Sequence, residues 1–548
     1  MNLLFDIFGY LEIVLRGFGI AAQTVAVGST LFLVLLARPL APRLTSGPVI
    51  EARVMNIIAI SAFALAAIEV AALAIQVAIL SDTMDISLLS ASSANFAVAA
   101  AVRLFAAVSL GLMATTEQHS PRPLKWIAVA LVIVAASVAR SHAMGRLGDR
   151  WELLLIGFVH QLGAALWLGG IPCFIAALAR LGDGMAWRLV GRRFSLMSMV
   201  AVVAIGASGI ATGTFYFDTA EAIYGTAYGL MTGGKVVMFL GLLALGAMNF
   251  QLVERLRADP ATPILRLRRF AEVEIAVGIT IFFAAASLTS LPPAVDLPND
   301  RASFAEIAER MTPTWPRLKS PDRSDTSIAV LQAKLNADAA GAQPLRAYVP
   351  GAGLPKPRNA ADLAWSEFNH NWAGFLVLAI GVLALAYRTG RADWAKHWPL
   401  LFLVLAVFLF VRSDPKYWPL GDINWFEGLR DTEAVQHRLA ILLIVGFALF
   451  EWGVRTGRLT KPAFTYVFPI GAAIGATMLM THTHALANVK EELLIEFTHT
   501  PLAILGVASA WGRWLELRLE KPGSVVAGYI WPICFILIGF LLLTYRES

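Results

Sequence analysis

The chain has 548 residues, of which 57% are hydrophobic and only 15% charged, where an ordinary soluble domain carries about 25% charged residues. Such an apolar surplus excludes a soluble globular protein and calls for a bilayer. The formal net charge of +6 does not point to nucleic acid, because the basic residues lie in short loops between apolar runs, where they set topology.

The opening stretch MNLLFDIFGYLEIVL carries Asp6 and Glu12 before its first basic residue, Arg16. It lacks the basic region of a cleaved signal peptide and is expected to stay as a transmembrane helix. Apolar windows place spans near residues 11–36, 54–80, 95–115, 124–141, 151–179, 194–216, 230–253 and 270–291. A second series falls near 371–387, 398–411, 438–454, 463–481, 500–512 and 525–544. The expected fold is therefore all-α: a polytopic membrane protein of about 14 transmembrane helices in two modules. The tenth and thirteenth windows are short and need flanking residues such as Trp398 and Trp511 to extend them. Trp418, Trp425 and Trp452 join these two as interface-belt candidates.

Between the modules, residues 292–368 hold 10 of the 26 prolines, with nine acidic and nine basic residues and no spanning run. This reads as an extramembrane linker between an N-terminal module, 1–291, and a C-terminal module, 369–548. Ile328 to Asn336 suits a short helix. The loops after odd-numbered spans hold about 23 Lys and Arg and the short loops opposite about 8, which places both termini and the linker outside. The exception is Arg140 to Arg150, with three arginines on the outer side.

The second module contains a repeat. His370 precedes a span ending in Arg388-Thr389-Gly390-Arg391, and His437 precedes one ending in Arg455-Thr456-Gly457-Arg458. Each unit runs about one bilayer thickness from imidazole to cap. Of the nine histidines, only His119 and His397 fall in inner loops. His142, His160, His370, His437, His482, His484 and His499 gather toward the outer side, with His160 about 14 Å into its span.

Imidazole is the commonest transition-metal ligand. In Met480-Thr481-His482-Thr483-His484 a thioether joins two imidazoles, a mixture that favours copper, Cu(I) above all, over magnesium or calcium. An H-x-H pair shares a face only in extended backbone. Glu491, Glu492 and Glu496 follow and are candidates to orient the imidazoles. Glu69, Arg103 and Lys235 are ionisable groups inside spans and mark either a pathway or, for Glu69 and Arg103, a neutralising pair. Cys173 and Cys534 lie in apolar runs, which leaves no disulfide framework or cysteine metal knuckle. There is no G-x-x-x-x-G-K-[ST] run, so nucleotide binding is not expected. No catalytic constellation appears.

The ordered set Ser141-His142-Ala143, His160 with Trp167-Leu168-Gly169-Gly170, Arg193-Phe194-Ser195, Ala207-Ser208-Gly209, Tyr224-Gly225, Lys235 and Asn249 resembles the bacterial copper-resistance protein D family. The resemblance is best over 140–290. The second module, with FNHNWAGF and THTHALANVKEELLIEFTH, looks like the extension of longer family members. The resemblance implies a bacterial inner-membrane protein, termini in the periplasm, that takes copper from the periplasm toward the cytoplasm and contributes to copper tolerance. It implies His142 and His160 as metal residues of the first module, and copper as the ion handled. Two other readings stand beside it. One is a membrane redox protein holding haem b between facing histidines such as His370 and His437, or His484 and His499. The other is a scaffold whose 292–368 segment docks a periplasmic copper chaperone. The main reading is not an enzyme; the haem reading leaves a metal-dependent redox activity open.

Overall fold

A computed structural model describes residues 7–116, 122–330, 358–481 and 489–547, with side chains in the last stretch from 493 onward. Among the described residues the regular structure is all-α, and the one extended pairing is a bridge between Tyr417 and Ile423. The principal helices are α1 (Phe8–Phe32), α2 (Gly47–Met84), α3 (Asn95–Thr116), α4 (Pro123–Val138), α5 (Arg150–Trp167), α6 (Ile171–Leu178), α7 (Gly184–Tyr216), α8 (Ala227–Ala258) and α9 (Leu265–Leu288). They continue with α10 (Phe304–Met311), α11 (Ala360–Arg388), α12 (Leu401–Arg412), α13 (Thr432–Arg455), α14 (Val467–Met480), α15 (Val489–Arg518) and α16 (Gly523–Leu543).

Among the described residues, thirteen helical stretches are long and apolar enough to cross a membrane. The fourteenth expected span, α4, has 16 residues, about 24 Å of rise against about 30 Å of hydrocarbon. Pro123 opens it, and the chain leaves the α-helix after Val138 for a 3₁₀ turn at His142–Gly145. The window at 500–512 grows instead into a spanning stretch of 26 residues, Leu493–Arg518, because the acidic turns before it stay helical. The tenth is completed by a 3₁₀ turn, Asp393–Leu400, that runs into α12.

The chain divides into two compact units. The first comprises Glu12–Asp218 and Val236–Ser290. Its core is built from Phe32, Val54, Ile58, Leu110, Trp126, Trp167, Phe174, Phe194 and Leu242. Phe194 stacks on Phe174 with ring centroids 4.5 Å apart. A Cβ on Gly169 would stand 1.9 Å from the carbonyl oxygen of Thr24, so only glycine lets this turn lie against α1.

The second unit comprises Met1–Leu11, Thr219–Lys235 and Leu291–Ser548. Its core is aromatic: Trp398, Phe402, Phe447, Phe468, Trp531 and Phe535. The Arg455 guanidinium lies 5.1 Å from the Trp398 ring and 5.3 Å from Trp531. Trp398, expected in an interface belt, is 1% exposed, because the 3₁₀ turn carries it inward onto these rings. Both repeat caps close on a left-handed glycine, Gly390 at φ 72° and Gly457 at φ 73°. Their arginines then diverge, Arg388 to Glu516 and Arg455 to Glu451.

Residues 292–330 fold within this unit. Ser303 and Glu306 form a capping box on α10, and Ala302 and Ile307 pack with Ala227 and Leu493. The Arg317 amide donates to Asn371 at 2.7 Å and its guanidinium pairs with Glu367 at 3.0 Å. Helix is described over residues 327–330; the remainder of the short helix expected at 328–336 lies outside the described residues.

Candidate functional site

In the first unit, His160 stands on the exposed face of α5. Ser208 donates its hydroxyl to the carbonyl of Ala204 at 2.6 Å, so at 2.9 Å it accepts from Nδ1 of His160. That bond puts the proton on Nδ1 and leaves the lone pair of the neutral ring on Nε2, the tautomer a metal takes. His142, in its 3₁₀ turn, is exposed and donates from Nε2 to the Thr289 carbonyl at 2.5 Å, which assigns the lone pair of its neutral ring to Nδ1. Glu69 is 2% exposed and pairs with Arg103 at 2.6 Å and with Arg140. Arg140, one of the arginines at odds with the charge count, thus has a carboxylate within the fold. A second buried carboxyl, Glu274 on α9, accepts from Asn249 at 2.6 Å and from the Trp167 indole at 3.2 Å.

In the second unit, His370 and His499 come together. Their ring centroids are 5.8 Å apart, edge to face, and Tyr545 stacks on His370 at 3.9 Å. Each Nδ1 donates to the carbonyl four residues back on its own helix, Ser366 for His370 and Ile495 for His499, both at 2.9 Å. Both lone pairs therefore sit on Nε2. Tyr545 donates to Glu547, and burial, with that carboxylate beside it, raises its phenol well above the ordinary value. The two histidines stand well inside α11 and α15 rather than at span edges. Capping by Asn359 and Asp362 starts α11 at Ala360, and α15 starts at Val489.

Met480 ends α14, 7% exposed, and its methyl group lies 4.0 Å from the Cβ position of Gly234. That same position is 2.7 Å from a methyl carbon of Thr500, next in sequence to His499. Met480, α15 and the start of α8 thus meet at one place. Lys235 follows on α8, half-buried. His437 is not with the pair: it hydrogen-bonds Asp414 at 3.0 Å. Glu496 accepts from Thr500 at 3.0 Å, and a backbone carbonyl rather than a carboxylate orients His499. His482 and His484 lie outside the described residues, as do the side chains of Glu491 and Glu492. Among the described residues no three His, Cys, Asp or Glu side chains gather as a metal group; the donors brought together are two imidazoles, with a thioether near the second helix.

A family model described as copper resistance protein D matches residues 188–288, most of α7 and all of α8 and α9. Over these three helices the chain is similar to copper resistance protein D. It is 33% identical over 143 residues to the copper transport protein CutJ of Bacillus subtilis (strain 168), a match that covers 25% of the chain and 25% of that relative. The chain thus spans about a quarter of the length of this curated relative. No solved structure matches.

The copper resistance protein D-like stretch contains Phe194, Ser208, Asn249 and Glu274, and the fold gives each a physical task. Ser208 orients His160, Phe194 packs the core, and Asn249 and Glu274 bond to each other. Reading the sequence missed Glu274. The signal was present: an acid ahead of a mainly apolar run, 275–288. A span begun at residue 270 puts Glu274 close to its edge, whereas α9 begins at Leu265. Tyr545 escaped notice because it lies beyond the last apolar window.

Proposed function

We propose that this protein handles copper in a bacterial inner membrane, taking the ion from the periplasmic side and contributing to copper import and tolerance. The His370–His499 pair carries the reading. Two imidazoles from separate helices, each donating from Nδ1 to its own helix, stand edge to face with ring centroids 5.8 Å apart, and Met480 adds a soft donor for Cu(I) near the second helix. The similarity to a copper resistance protein D model and to a copper transport protein supports copper as the cargo. Copper is substrate here rather than a resident cofactor, and the role is transport rather than catalysis.

His482 and His484, which follow Met480 directly, complete the proposed second-module ligand set, with Glu491 and Glu492 as outer partners. His142 and His160 form the proposed first-module capture residues, and His437, held by Asp414, an outlying one. Lys235 belongs to the proposed pathway. The division into 1–291, 292–368 and 369–548, the periplasmic placement of both termini, and docking of a copper chaperone on 292–368 belong to the same proposal. The bias of Lys and Arg between alternate loops supports that orientation.

Elemental analysis of the purified full-length chain tests it. Copper is expected to copurify, and His370→Ala/His499→Ala is expected to lower the copper stoichiometry while size-exclusion behaviour stays unchanged. Undiminished copper in that double variant removes the pair from the reading, and a Soret band without copper replaces it with haem ligation.

A further inference from the structure

Among its described residues the first unit buries two carboxyl groups, and their surroundings differ in kind. Glu69 has two arginines as ion-pair partners. Glu274 is 3% exposed and has only neutral donors, the Asn249 amide on Oε1 and the Trp167 indole on Oε2. No ion pair reaches it among the described residues. It lies about 14 Å from the start of α9, inside a membrane-crossing helix, where an unpaired charge is costly and marks a pathway or a proton relay.

The neighbouring titratable groups are accounted for. On α9, Arg269 pairs with Glu272 and Arg266 lies over Phe270, with Arg268 in the same first turns. On α1, Arg16 pairs with Glu12. On α5, His160 is held by Ser208, and on α6 Cys173 is a buried free cysteine. On α8, Glu254, Arg255 and Arg257 lie near the helix end, and Lys235 stands about 21 Å along the axis from Asn249.

A second observation concerns Asn249. It is 8% exposed, and its Oδ1 is buried without a hydrogen-bond partner. The amide carries a donor at one end and an acceptor at the other. As it stands, its NH₂ serves the carboxylate; rotated by half a turn, its Oδ1 accepts from a protonated Glu274. The pair is therefore built to hold either protonation state with one side-chain rotation, and the orphaned oxygen is the partner kept for the second state.

We propose that Glu274 is a proton-binding site of the membrane helices, with Asn249 as its positioning residue, and that it couples proton movement to the movement of copper. The step balances without a further reactant: the carboxylate takes one proton from an aqueous phase to become the acid, and the acid returns one proton to an aqueous phase. The coupling, though not the proton site, rests on the copper reading given above.

The full-length protein in phosphatidylethanolamine–phosphatidylglycerol liposomes, with a pH dye inside, tests both. Infrared difference spectra across a pH titration are expected to show a protonated carboxylic acid band that disappears in Glu274→Gln. In Asn249→Leu, which removes both amide contacts, the charge-assisted bond to the carboxylate is the stronger one lost, so the midpoint of that band moves to higher pH. With Cu(I) added outside, wild type is expected to change internal pH as copper enters, and Glu274→Gln to give the pH trace of protein-free liposomes. A titrating band that persists in Glu274→Gln, or an unshifted midpoint in Asn249→Leu, overturns the proton site. A wild-type pH trace from Glu274→Gln overturns the coupling. Should copper not enter wild-type liposomes, the transport reading fails, and the infrared titration still decides Glu274.

Discussion

The Ser208 hydroxyl holds His160 by its Nδ1 at 2.9 Å, across from α7 to α5, and donates its own proton to a backbone carbonyl of α7. The hydroxyl has no second proton to offer, so the imidazole must be the donor. One small side chain thereby selects which ring nitrogen faces a metal. Ser208→Ala is expected to weaken Cu(I) binding at His160 by about 10- to 100-fold, the usual cost of losing a partner behind a ligand, and Ser208→Thr to restore it. Competition with a chromophoric Cu(I) chelator, in a His370→Ala/His499→Ala background that isolates the first unit, measures this. Equal affinities in all three forms would show that the hydroxyl does not act through the metal.

Glu69 is the shared counter-ion of Arg103 and Arg140. Glu69→Ala strands two guanidinium groups, one of them 8% exposed, and is expected to cost about 3–5 kcal/mol of stability. Glu69→Leu combined with Arg103→Leu removes charge from both sides and is expected to cost less. Thermal unfolding in detergent compares them, and the opposite order would mean that the pair does not compensate its own burial.

Gly169 and Gly206 make a matched test of packing. A methyl group at Gly169 meets the Thr24 carbonyl at 1.9 Å, whereas one at Gly206 meets nothing within 4 Å. Gly169→Ala is expected to destabilise by about 1–3 kcal/mol as the turn is pushed off α1. Gly206→Ala, in the open middle of α7, is expected to be neutral or to stabilise by up to about 1 kcal/mol through helix propensity. Unfolding midpoints of the two variants give the answer directly.

Much of the all-α architecture was legible because burial in lipid demands long apolar runs, and such runs are visible one residue at a time. What misled was local. The α4 window looked like a full span, since hydropathy does not register where a helix stops, and the break after Val138 depends on backbone geometry. The window at 500–512 looked short because Glu491, Glu492 and Glu496 lower its hydropathy, although helix continues through them. The repeat from His370 to Arg388 and from His437 to Arg455 suggested equivalent histidines. Their caps do match, down to the left-handed glycines, but one ring stacks on Tyr545 and the other hydrogen-bonds Asp414.

Composition and periodicity alone settled that this chain lives in a membrane and is helical, since both follow from the solvent each segment must face. They also marked imidazoles, a thioether and buried charges as the groups with chemistry to do. Pairing was a matter for the tertiary structure: it joined His370 to His499, gave Glu69 two arginines, and left Glu274 with none among the described residues. The reason is range. Hydropathy and helix periodicity are carried by neighbours a few residues away, whereas a hydrogen bond such as that from Trp167 to Glu274 exists only after the helices between them have packed.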